Sequence, residues 1–170
     1  MAIGVSYSAP PLASCMDMNT QSLDSSAVLL NLNTTVEWAA EEFQTRTGIR
    51  CRPDLPKDSL EISQERGTAI FRIFQETLTN IARHADATQV DIRLAKENGS
   101  LSLEVHDNGV GVTEEQLSAS ESLGILGMRE RALYLGGEVR ISGAPNQGTR
   151  VSVRIPLSFR HNRKDVEQVG

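Results

Sequence analysis

Cysteine is scarce: Cys15 and Cys51 are the only two in 170 residues, and they lack metal-ligand spacing. Cys51 sits in a strand-like piece, Gly48-Ile49-Arg50-Cys51, and Cys15 in an aperiodic leader. A disulfide would tie core to tail, so reduced thiols in a cytoplasmic compartment are expected. Positive charge is short as well. Against 22 Asp and Glu stand 17 Lys and Arg, for a net charge of -5, without the basic stripe that displaces counterions from nucleic acid. No nucleic-acid partner is expected. No apolar run approaches a membrane span, and the N-terminus lacks the basic start and apolar stretch of a secretory signal; no membrane contact by this segment is expected. Aromatics reach only 4%, but 39% apolar and 23% charged residues are ordinary for a globular protein, and the length suffices to bury a core.

Residues 1–24, rich in Ser, Pro, Ala and Asn, read as a disordered leader or a cloning remnant. The domain is expected over residues 25–158, and residues 159–170 form a charged tail. Leu32, Val36, Ala39, Ala40 and Phe43 recur at three-to-four spacing, predicting a helix over 29–47 stopped by Gly48. A short edge strand over 48–51 follows, then Pro53 to Pro56, which cannot be helical throughout. A long helix over 63–85 has Ile70, Phe74, Leu78, Ile81 and Ala85 as its apolar face. Val90, Ile92 and Leu94 alternate with polar residues, as do Leu101, Leu103 and Val105, joined through Glu97-Asn98-Gly99. Residues 112–123 read as a mobile loop with a helical hint at Thr113. A helix over 124–135 ends at Gly136-Gly137, and strands follow around Val139 and Ile141, then over Val151, Val153 and Ile155, the last stopped at Pro156. Alternating strands mean one covered sheet face and one wet one. The expected fold is an α/β two-layer sandwich, a mixed sheet covered on one face by helices.

Glu76, Asn80, Arg83 and His84 share the polar side of the long helix. Asn80 offers a neutral oxygen suited to a hard cation such as Mg²⁺, which keeps waters and substrate phosphates as its other ligands. Glu76 suits the same ion through water, or a proton from that water, and Arg83 and His84 suit phosphate oxygens. A solvated polar face has the same pattern. Asp107, before Asn108-Gly109-Val110-Gly111, is placed to accept from the exocyclic amine of adenine, and Gly109 and Gly111 let backbone pass close to a base. An ordinary Asp-Asn-Gly turn reads alike. Gly124 and Gly127 flank a helix start, where amides and the helix dipole attract di- or triphosphate; tight packing also wants small residues there. Arg129 and Arg131 reach toward the same phosphates or are solvated. Thr149, after Gly148, has a hydroxyl for Asp107 or a base edge.

The order of these elements is more specific than any one of them. Phe71-Arg72-Ile73-Phe74-Gln75-Glu76-Thr77-Leu78-Thr79-Asn80-Ile81-Ala82-Arg83-His84-Ala85 resembles the N-box of the GHKL superfamily of gyrase, heat-shock chaperone, histidine kinase and mismatch-repair ATPases. Asp107-Asn108-Gly109-Val110-Gly111 resembles its G1 box, Gly124-Ile125-Leu126-Gly127-Met128-Arg129-Glu130-Arg131 its G2 box, and Asn146-Gln147-Gly148-Thr149 its final box. The spelling is most similar to bacterial sensor histidine kinases of the nitrate-sensor class, over about residues 30–157; Thr34-Thr35-Val36-Glu37-Trp38 resembles the entry to their catalytic domain. The resemblance implies a Bergerat-type ATP-binding fold with ATP and Mg²⁺. It implies that Asn80 holds Mg²⁺, with Glu76 beside it orienting water as a catalytic carboxylate. Arg83 and His84 then face phosphate or ribose. Asp107 binds the adenine amine, Gly109, Gly111 and Val112 shape the base pocket, Gly124, Ile125, Leu126, Gly127 and Met128 close over the phosphates, and Thr149 supports the base.

Such kinases carry their phosphoryl-accepting histidine on a dimerisation helix. His84, His106 and His161 fit no such helix, and His106, on a strand before Asp107, reads as structural. The implied partners are therefore dimerisation and phosphoacceptor helices supplied from elsewhere in a parent kinase, and a response regulator. Either the chain was cut before the acceptor helices or the leader replaces them. A stand-alone serine kinase of the anti-sigma-factor type, and a nucleotide-sensing module without transfer chemistry, are the alternatives.

Overall fold

A computed structural model describes residues 31–58, 60, 62–113 and 123–158. Cys15, the leader, the helical hint at Glu114 to Gln116, His161 and the charged tail fall outside the described residues. Helix α1 (Leu32–Thr47) starts where the Asn31 side chain accepts from the Asn33 amide at 3.0 Å. It ends at Gly48, whose left-handed φ of 74° lets its amide reach the Gln44 carbonyl. Leu32, Val36 and Ala40 face the core. Asn33, also buried, donates to the carbonyls of Pro56 at 2.8 Å and Asp58 at 2.9 Å, fastening the helix to the following loop.

The edge strand lies later than its apolar residues suggest. β1 (Arg50–Asp54) runs straight through Pro53, which an edge position tolerates because one side of the strand has no ladder to feed. The Cys51 amide is occupied by the Gln44 side chain at 2.8 Å. Burial pushes the Cys51 thiol up to about 11.

Helix α2 (Gln64–Asn80) is shorter than its periodicity implies and passes into a wider π-helical turn (Ile81–Ala85). The apolar spacing carries on through Ile81 and Ala85, so the sequence does not mark the change. The widened turn ends at Asp86 with φ of 52° and presents the Ala85 carbonyl to the Val110 amide at 2.7 Å. Such turns occur often at functional sites.

β2 (Gln89–Glu97) and β3 (Ser100–Asp107) form a hairpin whose Asn98-Gly99 turn takes positive φ at both positions. Helix α3 (Leu123–Tyr134) begins one residue before Gly124, which puts Gly127 inside the helix instead of at its edge. β4 (Glu138–Gly143) and β5 (Thr149–Pro156) complete the sheet. Pro156 belongs to β5 instead of stopping it. It pairs opposite Ser100, and its carbonyl takes the Arg66 Nε at 2.8 Å.

The sheet order is β1-β2-β3-β5-β4, with β1 and β2 parallel and all other neighbours antiparallel. Val90, Ile92, Leu94, Leu101, Leu103, Val105, Val151, Val153 and Ile155 point to one face, where they bury Ile70, Ile73, Phe74 and Leu78 of α2 and Met128, Ala132 and Leu135 of the α3 segment. The other face is polar. A mixed sheet covered on one side is the expected two-layer sandwich. Among the described residues no helix is long and apolar enough to cross a membrane.

Arg52 and Asp91 pair across β1 and β2 on the polar face, with Nη2 2.9 Å from Oδ2. The hydrogen bond from Arg52 is the main cause holding the Asp91 carboxyl below its ordinary value of 3.8. A carboxyl lowered by folding stabilises above the unfolded-state value, and loses that contribution as the pH falls through the folded-state value. The pair is exposed, so the effect is small. Asp91→Asn should lower the urea midpoint slightly at about pH 7, and the difference from the parent should fade as the pH falls through the lowered carboxyl value. A difference that persists in acid would place the contribution elsewhere than in the ionised carboxylate.

Candidate functional site

Asp107 closes β3. The inward alternation of Leu101, Leu103 and Val105 continues to it, so its side chain lies on the helix-covered face at 2% exposure. Its Oδ1 accepts the Gly109 amide at 2.8 Å, which turns the chain out of the strand. A carboxylate has about four acceptor positions, so this bond leaves capacity for a ligand donor. Thr149 opens β5 in the same parity as Val151, Val153 and Ile155; His106 pairs with Arg150, so Thr149 stands next to Asp107 at the end of the ladder.

Asn108 has a task that the sequence reading passed over. Its Oδ1 accepts from the Thr88 and Gln89 amides, both at 2.9 Å, and its Nδ2 donates to the Thr88 hydroxyl at 2.9 Å. It clamps the turn to the start of β2. An Asn one residue past the end of a strand, with a side chain able to mimic a backbone turn, is the signal that identifies this role.

Three junctions bring the separate motifs together. Val110 donates to the Ala85 carbonyl, and a Cβ on Gly109 would come 2.7 Å from the Ala85 carbonyl carbon and 3.0 Å from its Cβ. The end of the N-box turn thus lies on the G1 box. The Gly148 amide donates to the Gly109 carbonyl at 3.0 Å, and Asn146 to Val110 at 2.7 Å. Gly111, with φ of 77°, is pressed on Ala144, while Gly143 lies against the Val112 amide, 3.0 Å from its would-be Cβ. These contacts join the G1 box to the final box. Finally, Gly124 lies on the Glu76 carboxyl, whose Cδ would be 2.9 Å from a Cβ there. Thr77 meets Met128 one turn further along α3, with 3.7 Å between Oγ1 and Sδ. The C-terminal part of α2 therefore runs against the start of α3, and since Glu65, Thr68 and Ala69 line one cleft with Arg131, Tyr134 and Leu135, the two helices are antiparallel.

Glu76 and Asn80 are half-buried, one turn apart on α2; Arg83 and His84 are exposed on the π-helical turn. An acid and an amide at this spacing are a fitting donor pair for Mg²⁺, which takes one or two protein oxygens and completes its shell with phosphate and water. Among the described residues there is no group of three or more His, Cys, Asp or Glu that could hold a metal alone. Gly124, Ile125 and Gly127 are half-buried at the start of α3, and Leu126 is exposed. Met128 differs from the other G2 residues: its side chain is buried in the core under Thr77, so it positions the helix. Gly127 faces the flexible Arg131 guanidinium, 2.9 Å from a would-be Cβ, a neighbour that can give way.

The family described as Histidine kinase-, DNA gyrase B-, and HSP90-like ATPase matches residues 65–158. The sensor histidine kinase LiaS of Bacillus subtilis is 34% identical over 117 residues, which are 69% of this chain and 32% of LiaS. The sensor protein VraS of Staphylococcus aureus is 38% identical over 89 residues, 52% of this chain and 25% of VraS. The chain thus spans about a third or less of these relatives' lengths. The histidine kinase domain of the blue-light activated histidine kinase of Erythrobacter litoralis superposes with a TM-score of 0.65 at 25% identity, covering 75% of this chain and 61% of that one. Histidine kinase AdeS of Acinetobacter baumannii gives 0.61 at 17%, covering 80% and 66%, and shares the fold.

Proposed function

Since the chain belongs to the histidine kinase-, DNA gyrase B- and HSP90-like ATPase family, we propose that it is the Mg-ATP-binding catalytic part of a two-component sensor histidine kinase. It presents the γ-phosphoryl to a histidine on a separate dimerisation and phosphoacceptor helix, for relay to a response regulator. The observation that carries this reading is the joining of the four boxes around the end of α2, with Asp107 at one side and Glu76, Asn80 and the start of α3 at the other. A relative named as a sensor histidine kinase and another named as a sensor protein support the choice within the family.

The residues divide the work by chemistry. Asp107 accepts from the purine amine, and Thr149 beside it adds a hydroxyl. Gly109, Gly111 and Val112 shape the wall of the base pocket. Asn80, with Glu76, holds the cation end, while Arg83 and His84 meet ribose or phosphate oxygens, and the first turn of α3 covers the phosphates. Bound Mg²⁺ supplies neutralisation of the charge that spreads over the phosphate oxygens. Transfer of a phosphoryl group needs little covalent help, so the protein contributes chiefly positioning and charge. On its outer arc α3 exposes Leu123, Leu126, Leu133 and Tyr134, opposite buried Met128 and Ala132, an apolar surface suited to a docking helix.

Calorimetry with Asn80→Ala tests the cation end. The metal-dependent part of ATP affinity should vanish while adenosine binds as in the parent. Adding a separate phosphoacceptor hairpin with labelled Mg-ATP should then yield phosphohistidine, which is acid-labile. Acid-stable label on an anti-anti-sigma protein, or no Mg-ATP binding at all, would overturn the assignment.

A further inference from the structure

The first turn of α3 contains no acidic residue, although a helix start is stabilised by negative charge close to it. α2 supplies that charge. The Glu76 carboxyl occupies the space that the absent Cβ of Gly124 leaves, its Cδ 2.9 Å and its Cγ 3.5 Å from where that atom would be. The packing that keeps it there is deep: Thr77, the next residue of α2, and Met128, one turn along α3, meet with both side chains at 2% exposure or less. Ala132 and Leu135 extend the same buried seam. The backbone at Gly124 is therefore held against the carboxyl by a rigid contact between helices.

We propose that Glu76 is a positioning residue that serves as the resident anion of the α3 start. In the nucleotide-free protein its carboxylate takes the place at the first turn that a phosphate group takes when nucleotide is bound. Polyphosphate entry must move it aside, and the repulsion between the two anions makes that entry dependent on a divalent cation. The first statement stands on the contact alone; the second rests on the nucleotide reading given above.

Glu76→Gln keeps the size and removes the charge. Hydrogen exchange on the nucleotide-free protein should show the first-turn amides of α3 exchanging several-fold faster than in the parent, with β2 and β3 unchanged. Calorimetry with inorganic tripolyphosphate and no divalent cation should show the variant binding roughly tenfold tighter, as expected for removing a like charge at close range in a partly screened site. Added Mg²⁺ should shrink that gap. Loss of a merely structural contact would weaken anion binding, so the direction is decisive. Unchanged exchange in α3, or metal-free tripolyphosphate affinity equal to or below that of the parent, overturns the inference. Adenosine distinguishes the two readings. If parent and variant both fail to bind it while exchange and tripolyphosphate behave as stated, the purine assignment falls and the resident anion stands. If adenosine and Mg-ATP bind but the tripolyphosphate gap is missing, the reverse holds.

Discussion

Asp107→Asn should cost about two orders of magnitude in affinity for adenosine and ATP, and leave the urea midpoint close to that of the parent. Two atoms of one side chain have different duties here. Oδ1 accepts the Gly109 amide, and an asparagine carbonyl oxygen can take over that bond, so the turn out of β3 survives. The second oxygen becomes an amino group, a donor set against the donor of the purine. Removing a hydrogen bond to a charged acceptor costs about 1.5–3 kcal/mol, and a buried donor left unpaired costs more of the same order; about 2.7 kcal/mol is a factor of a hundred. The burial of Asp107, at 2% exposure, is what keeps water from replacing the lost partner.

The same substitution makes a sharper forecast about specificity. A purine with a carbonyl in place of the exocyclic amine presents an acceptor, to which the introduced amide can donate. Inosine should therefore lose less than adenosine, and the preference between the two should narrow or invert. Calorimetry with both nucleosides on parent and variant reads this directly. Equal adenosine affinity in the two proteins would remove Asp107 from the base pocket altogether.

What the sequence made legible follows from how far each signal reaches. Gly48 as a helix stop, the Asn98-Gly99 turn and the inward parity running from Leu101 to Asp107 are local, and local chemistry determines them. The edge strand is legible but its end is not: the apolar residues stop at Cys51, and only the parallel pairing that runs on to Asp54 opposite Arg93 shows the strand continuing through Pro53. The π-helical turn was invisible because Ile81 and Ala85 keep the apolar rhythm of the helix before them. Its cause is tertiary: the Ala85 carbonyl meets Val110. In the site, the boxes were readable one at a time, but their contacts were not. Glu76 and Gly124, or Gly109 and Gly148, are far apart in the chain, and no spacing rule relates them. Asn108 was read as part of a turn because its partners, Thr88 and Gln89, belong to another strand.

Glycine content is where those long-range contacts leave a mark that can be measured. Gly148 and Gly99 have nearly the same backbone angle, φ of 77° and 72°. Around Gly99 a Cβ would meet nothing within 4 Å, whereas at Gly148 it would be driven into the Asp107 carbonyl, with the carbonyl carbon at 2.8 Å and the Asn108 Cα at 3.2 Å. Gly99→Ala therefore carries only the strain of a left-handed alanine, about 1–2 kcal/mol. Gly148→Ala carries that and a collision between two backbones. Neither can yield: β3 is paired on both sides, and the Gly148 amide is bonded to Gly109. Overpacking of this kind adds about 1–3 kcal/mol, so Gly148→Ala should lose about 2–5 kcal/mol in all. Urea unfolding followed by the fluorescence of Trp38, the single tryptophan, gives both values in one assay. The two variants share the conformational term, so their difference measures the approach of the final box to Asp107. Equal losses would mean that the approach is not tight, and that the loop at Gly148 is free to move away from the Asp107 backbone.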